Sequence, residues 1–588
     1  MAGIDMTVEV CGMSGDGTIA AGGLLNEAVS GAGFFVMAFD SYPAEIRGFG
    51  RCVTRSRIGD EEMTALGDAT HALISLDDEQ SISRIPGLAE NAMVFFDNRP
   101  PSYVSEGQTI AAHTAPGVRL FGMPFRDLAV AAAGTARGRN LTALGGFAAV
   151  AGMGREPFLQ AIGKKFEAKG EKVLEANLNS FEAGFAFAAE TFADRIDDAL
   201  KTPTGESKPE RVLLSGNAAI GAGAMDAGLR FYFGYPITPA TPIMEYLAKA
   251  LPKTGGRVTQ MEDEIASIGA VLGSFYAGKR AMTATSGPGL ALMTELITHG
   301  VMSETPAVIV NAQRGGPSTG LPTKTEQSDL QAAVFGGPGD SARIVIAPTN
   351  VTECYWHTLR SFRLAERYQT PVIVLTDFFL DNRVENVVMP KASPDEALDA
   401  NVYPDAMLQG DYGRYEITAS GISPRAIPGM AGTIFPATGL EHSERGVPDY
   451  TAKNHMAMNG KRHRKIQGAL VDLPKPEAFF DGEPMEVGVI AWGSTFGSAL
   501  EAVRRARAKG LKTGALKITA LFPYHAEEIR DFMDRCGEVL IPELNFQGQL
   551  ATLIGHLHRK EVARFNQTTG VPISPTDILH EIASLVNL

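Results

Sequence analysis

Short, continuous apolar runs alternate with helix-length stretches through the middle of this chain. That alternation limits its fold more than any other feature. The runs are Arg280-Ala281-Met282-Thr283-Ala284-Thr285, Ala307 to Asn311, Ile344 to Ile346 and Val372 to Leu375. A strand that is apolar on both faces must be buried on both, which requires a parallel sheet with helices packed over each side. The predicted fold class is therefore α/β, and at 588 residues the chain is too long for one core.

Texture divides the chain further. Residues 1–198 open with a strand at Thr7 to Val10, the loop Gly12-Met13-Ser14-Gly15-Asp16-Gly17 and a helix rich in Ala and Leu. Strand, glycine loop and helix in that order begin many α/β folds. Apolar runs at Ala72 to Ser75 and Ala92 to Phe96 read as further buried strands. A polar stretch with two prolines makes 199–210 a linker, and 211–390 holds the alternating pattern, starting at Arg211-Val212-Leu213-Leu214. Residues 391–484 are rich in Pro, Gly, His and charge without clear period, and are expected to form an irregular connection. Residues 485–588 restart the α/β pattern as a small domain.

With 53 basic and 67 acidic residues the net charge is −14, and a field of that sign repels a phosphate backbone, so nucleic acid is an unexpected partner. The basic cluster Lys461-Arg462-His463-Arg464-Lys465 lies in polar surroundings and reads as a solvated connecting segment. The first residues carry no secretion signal, and no apolar run reaches the roughly 18 residues of a membrane span, so a cytoplasmic protein is expected. Four cysteines, Cys11, Cys52, Cys354 and Cys536, stand singly, so a four-thiolate iron–sulfur cluster is not expected within this chain.

Three segments carry the chemistry. In Gly234-Tyr235-Pro236-Ile237-Thr238-Pro239-Ala240-Thr241-Pro242 the prolines fix φ and make a stiff turn that presents hydroxyls. Capping rules place Thr241 at the N-cap of the next helix with Pro242 behind it, leaving Thr238 free. In the helix that follows Gln260, Glu264, Ile268, Val271 and Phe275 fall on one face. Glu264 is then either buried or aimed at something, unless it is a half-exposed acid of the first turn. Arg314 comes just past the strand ending at Asn311, where open α/β sheets bind ligands, and its planar fork suits a carboxylate. A surface arginine beside a flexible loop is the alternative.

Taken together, Gly-Tyr-Pro-Ile-Thr-Pro at 234–239, Glu-Asp-Glu-Ile-Ala-Ser-Ile-Gly-Ala at 262–270, Thr-Ser-Gly-Pro-Gly-Leu at 285–290 and Gln-Arg-Gly-Gly-Pro-Ser-Thr-Gly-Leu-Pro-Thr at 313–323 resemble the α subunit of 2-oxoacid:ferredoxin oxidoreductases. Trp492-Gly493-Ser494, Leu521-Phe522-Pro523 and the run from Pro542 to Leu550 are similar to that family's transketolase-C-terminal-like domain. The glycine loop and Ser41 to Gly50 resemble its γ domain, here fused in front of α. The resemblance covers nearly the whole chain and is weak only over 391–484.

The resemblance implies a γ-type domain associated with coenzyme A, a pyrimidine-binding-type domain of thiamine-diphosphate enzymes, and the small C-terminal domain. It puts Glu264 on the aminopyrimidine ring, favouring the imino tautomer that removes the C2 proton, with Pro236 and Ile237 beside the cofactor. It gives Thr238, Arg314 and Thr323 to the 2-oxoacid, with Arg314 on the C1 carboxylate. Lys324 stands where the family more often has arginine, and no role is assigned to it. Gly12, Ser14, Gly15 and Gly17 are candidates for coenzyme A, since a glycine loop opening a helix can donate to phosphate, although a purely structural turn explains them equally.

Gly15-Asp16-Gly17 is not followed by the paired asparagines of a thiamine-diphosphate fingerprint. A β subunit is thus expected to bring the diphosphate site, Mg2+ and a [4Fe-4S] cluster, giving an α2β2 enzyme that reduces ferredoxin. Fusion of the γ block ahead of α favours 2-oxoglutarate, by family analogy alone, with succinyl-CoA and CO2 as products. Pyruvate or branched-chain 2-oxoacids are the alternative substrates, and a non-catalytic coenzyme A-binding scaffold is the alternative of a different class.

Overall fold

In a computed structural model, residues 3–43, 50–99, 109–201, 210–393, 412–480 and 482–586 are described. Residues 202–209 of the expected 199–210 linker, residues 44–49 of the Ser41 to Gly50 motif and residues 394–411 lie outside them. The chain forms two compact units, Met1–Leu214 with Arg383–Met389, and Ser215–Asn382 with Pro390–Leu588.

The first unit is built on β1 (Asp5–Met13), β2 (Phe35–Ser41), β3 (Arg51–Gly59), β4 (Thr70–Ser75), β5 (Leu88–Asp97) and β6 (Arg119–Met123). Its sheet has eight strands in the order β6-β5-β4-β1-β3-β2-β14-β7, where β7 is Val212–Ser215 and β14 is Val384–Val387. β1, β4, β5 and β6 run parallel, whereas β3 lies antiparallel to both β1 and β2. The expected strands at 7–10, 72–75 and 92–96 all fall inside observed ones. Two strands that the sequence groups with the second block, β7 and β14, instead extend this sheet. The Asn386 side chain fixes β14 there, accepting from Val36 N at 2.8 Å and donating to the Phe34 carbonyl at 2.7 Å. Helices Arg139–Val150 and Glu171–Thr191 pack at Gly145 and Gly184, where an added Cβ would stand 2.2 Å from Phe181 O and 2.0 Å from Thr142 O.

The second unit holds two sheets. The larger runs in the order β18-β12-β13-β11-β10-β8-β9, with β8 (Phe231–Gly234), β9 (Arg257–Gln260), β10 (Ala281–Thr285), β11 (Ala307–Gln313), β12 (Ile344–Ile346), β13 (Pro371–Asp377) and β18 (Ala520–Phe522). All pairs are parallel except β12 with β18. β10, β11 and β13 are buried along their whole length, as their uninterrupted apolar runs require. The smaller sheet, in the order β15-β17-β16-β19-β20, uses β15 (Glu477–Phe479), β16 (Met485–Trp492), β17 (Thr513–Ile518), β19 (Cys536–Glu543) and β20 (Ala563–Asn566). Among the described residues no helix is long and apolar enough to cross a membrane.

The stretch 391–484 corrects two expectations. It contains a 17-residue helix, Ala452–Gly468, so it is not irregular throughout. Its basic cluster is only partly solvated, because Lys461, Arg462 and Lys465 are buried while His463 and Arg464 are exposed. Lys461 and Lys465 both pair with the fully buried Glu304, Lys465 at 2.7 Å, and Arg462 pairs with Glu441 at 2.7 Å. The helix escapes an apolar-period search because its inward face is charged and is matched by acids elsewhere in the chain.

Candidate active site

Chain order places a switch point in the larger sheet. The chain steps from β8 outward to β9, then returns to the other side of β8 as β10 before continuing to β11. Loops leaving adjacent parallel strands in opposite directions open a crevice at their carboxyl ends, where open α/β sheets bind ligands. Four signature segments leave strands at this edge: Gly234 to Pro242 after β8, Met261 to Glu264 after β9, Ser286 to Leu290 after β10 and Arg314 onward after β11.

Glu264 is the first residue of the helix Glu264–Tyr276, whose N-cap Asp263 accepts from Ala266 N at 2.7 Å. The Glu264 side chain is turned inward and is 6% exposed, on the same buried face as Ile268, Val271 and Phe275. This excludes a half-exposed first-turn acid. Among the described residues its carboxylate has no hydrogen-bond or ion-pair partner. Gly289, in the first turn of the helix Gly287–Met302, lies against it: an added Cβ would stand 2.5 Å from Oε1. The glycine of the 285–290 motif therefore makes room for the carboxylate.

Arg314 is 8% exposed and donates through Nη1 to the Thr238 carbonyl at 2.7 Å. This excludes a surface arginine and brings two expected substrate residues together, through the Thr238 backbone rather than its hydroxyl. Arg314 Nε is buried and has no hydrogen-bond partner among the described residues. Burial lowers the pKa of Arg314, opposed in part by the charge of Asp329. The loop after Arg314 closes on itself, Gly315 N donating to Lys324 O at 3.0 Å and Leu321 N to Gly315 O at 2.8 Å. Half-buried Thr323 thus stands at the loop neck next to the residue paired with Gly315. The Lys324 stem packs against Gly570.

Pro236 and Ile237 are half-buried in the turn after β8, where the Ile237 carbonyl accepts from Ala240 N at 2.9 Å and Thr241 N at 3.1 Å. The helix begins at Thr241 with Ala240 in the cap position and no side-chain cap. The expected capping role of Thr241 is therefore not observed, since the turn's own carbonyl already engages these amides.

Sequence reasoning missed three further polar groups of this edge. Asn217 donates to the Pro239 carbonyl at 3.3 Å, and its Oδ1 is buried with no partner among the described residues. Ser286 is fully buried, and its hydroxyl likewise has no partner among the described residues. Asp329 accepts from Asn311 at 3.0 Å and fills the space beside Gly287; burial raises its pKa. Ser286 and Asp329 sit in or next to the quoted motifs, which was an available signal; Asn217 had none.

In the first unit, Gly12 is the last residue but one of β1, before Met13, and Ser14, Gly15 and Gly17 lead into the helix Thr18–Gly31, with Gly17 at positive φ as N-cap. Asp16 accepts from Met13 N at 2.9 Å and pairs with Arg139, and Asn140 donates to Gly17 O at 3.2 Å. The four loop residues are brought together, but local bonds alone also account for the turn. All four cysteines are buried and none forms a disulfide among the described residues, in which no group of three His, Cys, Asp or Glu is placed to hold a metal ion.

Comparison with known proteins covers the whole chain. Family models match residues 7–187 (pyruvate ferredoxin/flavodoxin oxidoreductase), 222–461 (its thiamine-diphosphate-binding domain) and 485–578 (pyruvate:ferredoxin oxidoreductase core domain II). The 2-oxoglutarate oxidoreductase subunit KorA of Mycobacterium tuberculosis is 32% identical over 98% of this chain and 90% of its own. The 2-oxoglutarate synthase subunit KorA of Methanothermobacter thermautotrophicus is 39% identical over 58% of this chain and 89% of its own. A solved 2-oxoglutarate:ferredoxin oxidoreductase from Magnetococcus marinus, with 2-oxoglutarate, coenzyme A and succinyl-CoA bound, superposes with a TM-score of 0.92 at 36% identity, over 99% of each chain.

Proposed function

The chain belongs to the 2-oxoacid:ferredoxin oxidoreductase family, and from this we propose that it is the α subunit of a 2-oxoglutarate:ferredoxin oxidoreductase. The complex would convert 2-oxoglutarate and coenzyme A to succinyl-CoA and CO2, passing two electrons to ferredoxin. The observation that carries this is that a buried Glu264 and a buried Arg314 both follow the carboxyl ends of strands in one parallel sheet, at its switch point. The substrate is supported by the names of the similar proteins and by the ligands of the Magnetococcus marinus structure.

The residues fit one end of thiamine diphosphate. When bound, that cofactor supplies the carbon nucleophile and the electron sink. Glu264 would hold a proton toward the pyrimidine N1′, from the buried helix face that it shares with Ile268 and Val271. Arg314 would clamp the C1 carboxylate of the oxoacid, using the unpartnered Nε and the fork edge that does not hold Thr238. The hydroxyls of Thr238 and Thr323 would orient the keto oxygen or carboxylate, and Pro236 and Ile237 would wall the ring. A β subunit would supply the diphosphate site with Mg2+ and the [4Fe-4S] cluster, in an α2β2 complex. The loop of Gly12, Ser14, Gly15 and Gly17 would serve coenzyme A.

Glu264→Ala in the co-purified complex tests whether the chain takes part in catalysis. A loss of about 10²- to 10⁴-fold in turnover is expected for a lost proton-holding group. Full retention of activity would leave only a coenzyme A-docking scaffold.

A further inference from the structure

A second polar centre of the same unit takes no part in the site above. Glu304 follows the helix Gly287–Met302 and is fully buried. Burial alone would raise its pKa, but Lys465, Lys461 and Arg414 together hold it well below the usual carboxylate range. Arg414 is 3% exposed, and its Nη2 donates to the Glu304 backbone carbonyl at 2.7 Å. Among the described residues, three buried cations thus share one carboxylate. The adjoining Arg462 is already balanced by Glu441.

This excess of positive charge borders a small cavity. Tyr276, Ser303, Glu304, Thr305, Arg414 and Tyr415 contribute to its wall, and about 10 Å³ is open to the centre of a water-sized sphere, room for one small occupant. The wall residues Arg414 and Tyr415 each carry a buried donor, Nη1 and the hydroxyl respectively, with no hydrogen-bond partner among the described residues. Buried Arg425 and Ala426, with Ala437 and Phe435, complete the wall, and the Phe435 ring lies 6.1 Å from those of Tyr276 and Tyr415. Such walls strengthen electrostatic attraction and make uncompensated charge costly. We propose that Arg414 Nη1 and the Tyr415 hydroxyl bind a monovalent anion of halide size, which offsets the cationic excess around Glu304. Burial pushes the Tyr415 phenol up to about 12, so it remains an O–H donor across the working pH range. A carboxylate or phosphate ester is too large for the cavity. The site stands beyond the C-terminus of the helix whose first turn meets Glu264, so its effect falls on stability rather than on the reacting atoms.

The test uses bromide and the full chain co-purified with its partner subunit. Crystals soaked in sodium bromide should show an anomalous peak between Arg414 Nη1 and the Tyr415 hydroxyl. Thermal melts in sodium bromide should rise saturably above those in sodium gluconate at equal ionic strength, by about 2 °C, and Tyr415→Phe should lose the difference. No anomalous peak at that position, or equal responses of the two proteins to the two salts, would overturn the proposal. The diffraction measurement needs no variant and decides alone if Tyr415→Phe does not fold.

Discussion

The Glu264 carboxylate occupies the space that a side chain at Gly289 would need. A Cβ built at Gly289 would stand 2.5 Å from Glu264 Oε1 and 2.0 Å from the Thr285 hydroxyl oxygen. Neither neighbour can retreat cheaply, because Thr285 and Glu264 are both buried. Gly289→Ala should therefore displace the carboxylate by a large part of an ångström and lower turnover about 10²-fold. Dye reduction by the assembled complex, read beside a thermal melt, separates this from misfolding; unchanged turnover would mean that the position of Glu264 does not matter.

Arg314→Lys keeps a charge but loses the planar fork. If the arginine clamps the C1 carboxylate, kcat/KM for the oxoacid should fall about 10- to 100-fold, mostly through KM. Steady-state kinetics over a range of oxoacid concentrations checks this, and an unchanged KM would take Arg314 out of substrate binding.

The side chain and backbone of Thr238 should separate. The carbonyl holds Arg314 whatever the side chain is, so Thr238→Val should keep that contact and lose only the hydroxyl. A drop in kcat/KM of about 5-fold, reversed in Thr238→Ser, is expected for one neutral hydrogen bond. Equal losses in both variants would point to packing instead.

Glu304→Gln should leave Lys461 and Lys465 buried without their shared counter-charge and cost about 3–5 kcal/mol. The sign of its pH dependence follows from the lowered carboxyl pKa in the folded chain. The folded state binds fewer protons than the unfolded one below the ordinary value of 4.5, so the stabilisation is fully present above that pH and is lost as pH falls. Denaturant melts of both proteins at acid pH, where both lysines are protonated, should show a gap that narrows as pH falls below 4.5. A gap that widens toward low pH would contradict the pairing.

What the sequence made legible follows from how local each signal is. Glu264 was legible because one turn of helix sets its neighbours: Ile268, Val271 and Phe275 are apolar, so the acid on their face must turn inward. Arg314 was legible because it stands just past an apolar strand. The pairing of Glu304 with Lys461 and Lys465 spans more than 150 residues, and no local pattern announces it. The same holds for Val384–Val387, whose place beside β2 depends on Asn386 reaching Phe34 and Val36. Close approach, as at Gly289, leaves only a glycine in the sequence, and the residue it accommodates appears once the fold is known.

The most direct test is viologen reduction by this chain co-purified with its partner subunit, with coenzyme A and a panel of 2-oxoacids. The proposed function requires preference for 2-oxoglutarate, strict dependence on coenzyme A and formation of succinyl-CoA. Preference for pyruvate or a branched-chain acid would keep the roles of Glu264 and Arg314 and replace the substrate. No reduction with any 2-oxoacid, in a complex that holds its cofactor and cluster, would contradict the proposed reaction.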